Sequence, residues 1–285
     1  MRRSLLFIPG NSPAMMQNAD IFSADSVIFD LEDAVMLPEK DAARNLVESF
    51  LENNLLGKTE VVIRINSLDV AFSAKDLEKI ATDKIDTIML PKASVKKVIQ
   101  LSFLLSKYER KRKMKKRIRI IPIIESASAI WELNEIASFS RVDGLLLGAE
   151  DLATDMEVAR TEEGMEIFYA RSAVVIASKA HKIDAIDTPF TNTRNDDGLE
   201  KDCKVARMLG MNAKACIHPN QIDPVNRIFS PEKVEVEYAK KVIQAYEEAK
   251  NAGKGAFSVD GKMIDKPIID RAYKLIEKAE KWGVL

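Results

Sequence analysis

Along the chain, short apolar runs alternate with longer segments whose apolar residues recur every three to four positions. The runs cover 4–9, 26–31, 60–65, 87–92, 118–124, 144–148, 183–187 and 213–218, each bounded by turn-forming or charged residues. Runs this short and this uniformly apolar suit strands covered on both faces, as in a parallel sheet wrapped by helices. Helical spacing fills the gaps between them, for example in EKDAARNLVESFL, SVKKVIQLSFLLSKYERK and EEGMEIFYARSAVVIASKA. Eight βα units in about 220 residues predict an α/β fold, a (β/α)8 TIM barrel rather than an open sheet. After the first strand, Asn11 or Ser12 offers a cap to a helix over SPAMMQNADIF, where Pro13 near the first position sacrifices no hydrogen bond.

The rhythm ends after His218-Pro219. The chain therefore reads as a barrel domain over 1–229 and a C-terminal helical extension over 230–285. The extension runs as a helix, the Gly-rich stretch NAGKGAFSVDGKMID, and a last helix PIIDRAYKLIEKAEKW.

Composition narrows the chemistry. With 285 residues and 46% hydrophobic content the chain can bury a large core. A formal net charge of −1 provides no overall field toward nucleic acid or anionic lipid, so neither partner is expected. One segment departs from this balance, the basic run KYERKRKMKKRIR over 107–119. It lies just before the fifth strand, at the N-terminal face of the barrel, and without aromatic interleaving it reads as a solvated helix end. Two cysteines without a CxxC and two histidines exclude a disulfide framework and a Cys/His zinc cluster. The first apolar run is too short for a membrane span or signal core, which places the protein in the cytoplasm as an expectation.

Active sites of such barrels form at the C-terminal ends of the strands. Those ends carry Asp30, Glu32 and Asp33 after strand two, Arg64 and Asn66 after strand three, Lys92 after strand four, and Glu125 after strand five. Glu150 and Asp151 follow strand six, Asp187 ends strand seven and His218 follows strand eight. Carboxylates gathered at one mouth raise one another's pKa unless a cation compensates. Oxygen-only donors point to Mg2+, with Mn2+ as the substitute, and Glu125 with Asp151 on neighbouring strands is the expected pair. Each acid read alone is also an ordinary helix-capping residue. Arg64 either forms a salt bridge, with Glu32 a candidate, or clamps a substrate carboxylate. The small residues of Gly148-Ala149 would let backbone amides approach a ligand oxygen.

The segments RRSLLFIPGNSPAMM, VIFDLEDAV, EKDAAR, VIRIN, LPKA, IPIIES, LLLGAEDLATDMEVARTEEG, AIDTPF and DGKMIDKPIIDRA occur in that order from Arg2 to about Leu275. Together they resemble the citrate lyase beta subunits, within the HpcH/HpaI aldolase/citrate lyase family of acyl-thioester lyases. The resemblance implies a Mg2+-dependent lyase that cleaves a citryl thioester into oxaloacetate and an acetyl thioester. It implies Glu125 and Asp151 as metal ligands, Arg64 as the grip on the ketoacid carboxylate, and Glu32 and Asp33 in the metal's outer environment. It also implies that amides near Ala149, with Glu150 beside them, hold the ketoacid, and that Asp265 of the MID motif acts as an acid/base in a neighbouring subunit's site. A cap aspartate ahead of Pro267 is the plainer reading of Asp265.

The same resemblance implies a phosphopantetheine-borne substrate, a lyase alpha subunit and an acyl carrier (gamma) subunit as partners, and a homotrimer or hexamer. His218 departs from it: an asparagine is expected there in citrate lyase beta subunits, and a histidine suits a stand-alone malyl-CoA or citramalyl-CoA lyase, which is the alternative function. Lys92 could be suspected of Schiff-base chemistry, but metal and Schiff base are alternative electrophiles, and contact with an anion or thioester suits it better. A non-catalytic scaffold would not need to retain these carboxylates and Arg64.

Overall fold

A computed structural model of the chain describes residues 1–53, 56–57, 59–251 and 257–285. Eight parallel strands close into a barrel in chain order: β1 (Ser4–Pro9), β2 (Ser26–Asp30), β3 (Glu60–Arg64), β4 (Thr87–Leu90), β5 (Arg119–Ile124), β6 (Gly144–Leu147), β7 (Asp184–Asp187) and β8 (Ala213–Cys216). The register runs from Leu5 beside Ser26 around to Ser4 beside Lys214, with β1 and β8 closing the ring. The expected TIM barrel is therefore present, and each expected strand is found within one or two residues of its bounds.

The helices are α1 (Pro13–Gln17), α2 (Lys40–Asn53), α3 (Phe72–Ile80), α4 (Val95–Arg112), α5 (Ala127–Trp131), α6 (Leu133–Ser138), α7 (Ala149–Asp155), α8 (Phe168–His181), α9 (Asp196–Leu209), α10 (Ile222–Phe229), α11 (Lys233–Asn251) and α12 (Lys266–Lys281). Two depart from expectation. α1 stops at Gln17 because the amides of Asn18 and Ala19 turn back to Met15 and Met16, and the Asn18 side chain takes the Ala14 carbonyl. Ser12 stands at its N-cap position without a side-chain cap bond, and Asn11 instead donates to Glu39. The expected AIWELNEIASF helix breaks at Glu132, whose carboxylate accepts the Val95 amide at 2.7 Å.

Inside the barrel, side chains of alternate residues meet: Leu5, Ile28, Val62, Met89, Ile121, Ile123, Leu146, Ile186, Ala213 and Ala215 form one buried cluster. This parity places the site. Two residues beyond an inward apolar position on seven of the eight strands, at the C-terminal mouth, come Phe7, Asp30, Arg64, Glu125, Gly148, Thr188 and Ile217.

The N-terminal end of the barrel is closed by charge instead. Arg2 donates to Glu60 at 2.5 and 2.6 Å, to Asp184 at 2.9 Å and to Asp143 at 3.0 Å, while Ser26 and Thr87 also donate to Glu60. Burial would raise the Glu60 pKa, but the Arg2 bonds and charge and the two hydroxyls hold it at about 2, against an ordinary 4.5. A depressed carboxylate stabilises the fold above its unfolded pKa, and that stability is lost as pH falls through the folded value. Glu60→Gln is therefore expected to cost about 3 kcal/mol near neutrality and to flatten the loss of stability between pH 4.5 and 2 seen in denaturant melts. An unchanged acid slope would contradict this role.

The chain separates into two compact units, Met1–Asn226 and Arg227–Leu285. In the second, α11 and α12 pack around Val242, Val259, Ile264, Ile269 and Ala272, together with a hairpin of β9 (Phe257–Val259) and β10 (Lys262–Ile264). The hairpin stands within the stretch read as Gly-rich loop; residues 252–256 of that stretch lie outside the described residues. Its two-residue turn is Asp260-Gly261, both at positive φ (49° and 77°), the pairing that a type I′ turn favours.

Candidate active site and cation-binding pair

A cavity of about 430 Å3 opens at the C-terminal mouth of the barrel. Its apolar walls include Phe7, Pro9, Ile123, Leu146 and Ile217, and its polar lining is Asp30, Asp33, Arg64, Glu125, Glu150, Asp151 and Thr188.

Arg64 forms the salt bridge that its position allowed and also lines the cavity. Its Nε and Nη2 donate to the two oxygens of Asp30 at 2.7 and 2.5 Å, a bidentate pair. Asp30, 1% exposed, also accepts the amides of Glu32 and Ala34 at 2.9 and 3.1 Å, which fixes the turn after β2. The anion that fixes Arg64 is thus Asp30 first; Glu32 stands at 3.4 Å and Asp33 at 3.7 Å from Nη1. Nη1 is the nitrogen turned toward these looser partners, and the guanidinium lies over the Phe7 ring at 5.0 Å. Beneath the turn, Lys40 donates to the carbonyls of Leu31 and Glu32 at 2.8 and 2.6 Å.

Burial pushes Glu32 up to about 8; Arg64 opposes this, while Asp33, Glu125 and Asp30 add to it. A carboxyl at that value is largely neutral at pH 7, so part of the crowding of acids is relieved by protonation and part by Arg64.

Glu125, buried, accepts the Lys92 amide in a short hydrogen bond. Lys92 holds a positive φ of 49°, a conformation costly for a residue with a Cβ. That strain aims the amide, while the exposed Lys92 side chain is not part of the cavity lining. Burial raises Glu125 to about 7, with the Lys92 amide opposing it and Asp151, which shares a hydrogen bond and its charge, adding to it. Asp151 stands in the first turn of α7, directly after β6, as does Glu150.

Among the described residues no group of three or more His, Cys, Asp or Glu forms a metal cage. Two facing carboxylates can nevertheless hold a hard divalent cation that keeps several waters and takes its remaining ligands from a substrate. The mutual repulsion of Glu125 and Asp151 is the local sign of such a role, and the pair fits Mg2+ or Mn2+.

Gly148 makes room for the pair. A Cβ built there would stand 2.7 Å from the Glu125 Cβ and 2.8 Å from the Ile123 Cγ2. Gly148→Ala is therefore expected to push Glu125 aside and weaken divalent-cation affinity by about tenfold or more. Mn2+ titration of the two proteins checks this; equal affinities would show that the close approach is dispensable.

The Ala149 amide donates to the Thr188 hydroxyl at 3.3 Å. Glu150 lines the cavity and pairs with Arg160 at 3.2 Å, which also donates to Glu166. His218 is exposed, bonds Asn220 and caps the short turn after β8; its neighbour Ile217 reaches the cavity. In the second unit, the Asp265 side chain accepts the Ile268 amide at 3.2 Å as the N-cap of α12, so the cap geometry is realised.

Asp187 does not join the mouth. Ile186 faces the barrel interior, so Asp187 points outward and is buried with Arg171, Asp202 and Lys214. The residue that does face the mouth is Thr188. Lys214 holds its carbonyl at 2.7 Å, and the Ala149 amide holds its hydroxyl. Counting by two from Ile186 would have found it, as counting from Ile28 would have put Asp30 ahead of Glu32.

Residues 3–219 match the HpcH/HpaI aldolase/citrate lyase family. The citrate lyase subunit beta of Leuconostoc mesenteroides subsp. cremoris is 40% identical over 98% of this chain and 93% of its own length. A (3S)-malyl-CoA thioesterase of Cereibacter sphaeroides is 31% identical over 98% of this chain and 94% of its own. Among solved structures, the protein CitE of Mycobacterium tuberculosis, in complex with magnesium, acetoacetate and coenzyme A, superposes with a TM-score of 0.79 at 30% identity, covering 98% of each chain.

Proposed function

We propose, on the premise that the chain belongs to the HpcH/HpaI aldolase/citrate lyase family and is a lyase, that it cleaves a citryl thioester on an acyl carrier protein to oxaloacetate and an acetyl thioester. The observation that carries this reading is the Glu125 and Asp151 pair facing Arg64 across one cavity. The citrate lyase subunit beta relative, matched over nearly its whole length, supports the choice of substrate.

Glu125 and Asp151 would hold a Mg2+ ion, and the magnesium-bound CitE relative supports that assignment. The chemistry such an ion supplies when bound is Lewis-acid polarisation of the substrate's hydroxyl and carboxylate oxygens. Arg64 lines the cavity, and its Nη1, the nitrogen not spent on Asp30, grips a carboxylate of the citryl group. Gly148 and Ala149 bring backbone close to the ketoacid half, with Glu150 at the rim, and Phe7, Ile123, Leu146 and Ile217 exclude water from the breaking bond. Glu32 and Asp33 shape the charge around Arg64. Cleavage passes the hydroxyl proton to water at the cavity mouth and releases oxaloacetate with the enolate of the acetyl thioester. A proton delivered to that enolate carbon completes the reaction, and Asp265 from a neighbouring subunit supplies it. Citrate lyase alpha and carrier subunits are the partners, and the chain assembles as a trimer or hexamer.

Two tests follow. Release of oxaloacetate from citryl-acyl carrier protein and citryl-CoA supports the proposal; pyruvate or glyoxylate from citramalyl-CoA or malyl-CoA instead would move the chain to the alternative of a stand-alone lyase, toward which the malyl-CoA thioesterase relative leans. Asp265→Asn is expected to lower kcat by about 100-fold or more. Oligomers mixed from Asp265→Asn and Arg64→Ala chains should then regain turnover that neither variant has alone; no recovery in verified mixed oligomers would contradict action in trans.

A further inference from the structure

The basic run over 107–119 plays no part in the site. It holds nine Lys and Arg residues against one acid, Glu109, so the rest of a chain of net charge −1 carries −9. The run closes α4, where cations meet the helix dipole favourably. That accounts for its last turn but not for its extent. Glu109 is turned inward, bound to Arg141 at 2.6 Å and to the Ile118 amide at 2.8 Å, and so neutralises none of the surface charge. Lys116 pairs with Asp86, and Arg112 caps the Ala81 and Glu78 carbonyls. Among the described residues, Lys107, Lys111, Lys113 and Arg117 have no acidic partner.

A second observation lies on the same helix. α4 buries Val98, Leu101 and Leu105 against the barrel and turns Ile99 (51% exposed) and Phe103 (65% exposed) outward. Ile99, Phe103 and Lys107 are spaced by four, with Lys111 four further on, so one helix face runs from an apolar half near the mouth to a basic half at the opposite end. An exposed aromatic flanked by unpaired cations has the make-up of a docking surface: an anchor that buries, and a rim that steers and orients.

We propose that this outer face of α4 docks the acidic carrier protein that bears the acyl thioester. The inference rests on the reading, given above, that the substrate arrives on a protein-bound phosphopantetheine. Such an arm leaves its carrier through a phosphodiester, so the partner is anionic where it approaches. A second copy of this chain would bring the same cations against one another. A single-stranded RNA is bound by cations interleaved with several aromatics, whereas here the exposed apolar pair, Ile99 and Phe103, stands apart from the basic half of the helix. Phe103 lies about 12 Å along α4 from its mouth-side start at Val95.

The test uses the whole protein with Lys107→Glu/Lys111→Glu and, separately, Phe103→Ser. With citryl-acyl carrier protein as substrate, KM is expected to rise about tenfold or more while kcat is kept, and with citryl-CoA, which has the same arm but no protein, both constants should be unchanged. Fluorescence anisotropy of a labelled, unacylated acyl carrier protein should report binding that weakens with added salt and is lost in the charge-reversed variant. Unchanged KM on the carrier-borne substrate, equal losses on both substrates, or displacement of the carrier protein by a single-stranded RNA would each overturn the proposal. Cleavage of neither thioester by the wild type would refute the functional reading instead, and the anisotropy titration would then decide the docking surface alone.

Discussion

Arg64→Ala is expected to abolish citryl thioester cleavage, by about three orders of magnitude or more, and to lower the melting temperature as well. The two effects have different origins. Activity falls because Arg64 is the cationic side chain that lines the cavity beside Glu125 and Asp151. Stability falls because Asp30, 1% exposed, keeps its charge but loses the bidentate partner at 2.5 and 2.7 Å, a loss of about 3–5 kcal/mol. Arg64→Lys should rescue neither fully, since an ammonium cannot bridge both Asp30 oxygens and still face the cavity. The double variant Arg64→Ala/Asp30→Asn separates the effects: thermal melts should recover most of the lost stability while turnover stays absent. A double variant as unstable as Arg64→Ala would show that the Asp30 charge is not the source.

Asp151→Asn is expected to cost at least as much activity with almost no loss of fold. Asp151 is exposed in the first turn of α7, where an asparagine is tolerated, and it makes no ion pair among the described residues. What it contributes is charge beside Glu125. With Glu125 raised to about 7 by burial and by Asp151, cation binding must displace a proton, so affinity should fall as pH drops below neutrality and recover above it. In Asp151→Asn, Mn2+ affinity should be reduced about 100-fold or more across that range, with an unchanged melting temperature in metal-free buffer. Wild-type affinity in the variant would remove Asp151 from the cation site.

Much of this was legible in the chain. Eight apolar runs in a βα rhythm pointed to the barrel, and Arg64 at the end of the third, with Glu125 and Asp151 just past the fifth and sixth, stood at its mouth. What was lost came mostly from naming strand-end residues without applying the period of two. Asp187 ends β7, but Ile186 is the inward residue, so Asp187 meets Arg171 and Lys214 behind the wall and Thr188 takes the place at the mouth. Asp30 was in view beside Glu32 and Asp33, yet its two-residue offset from Ile28 is what makes it the partner of Arg64. The hairpin of β9 and β10 was signalled by Asp260-Gly261 between alternating residues, and the neighbouring glycines drew it into a loop instead. The early end of α1 and the break at Glu132 depend on tertiary hydrogen bonds and on local competition by Asn18, which helical spacing does not encode. The strain at Lys92 is of the same kind, since its positive φ serves a carboxylate 33 residues away in the chain.

Oxaloacetate release from citryl-acyl carrier protein, followed as Mg2+ is titrated into metal-free wild type and metal-free Asp151→Asn, is the decisive measurement. Saturable, Mg2+-dependent release by the wild type, absent from the variant at the same concentrations, is the predicted result. Release that is indifferent to Mg2+, or equal in the two proteins, would contradict the assignment of Glu125 and Asp151 as the pair on which cleavage depends.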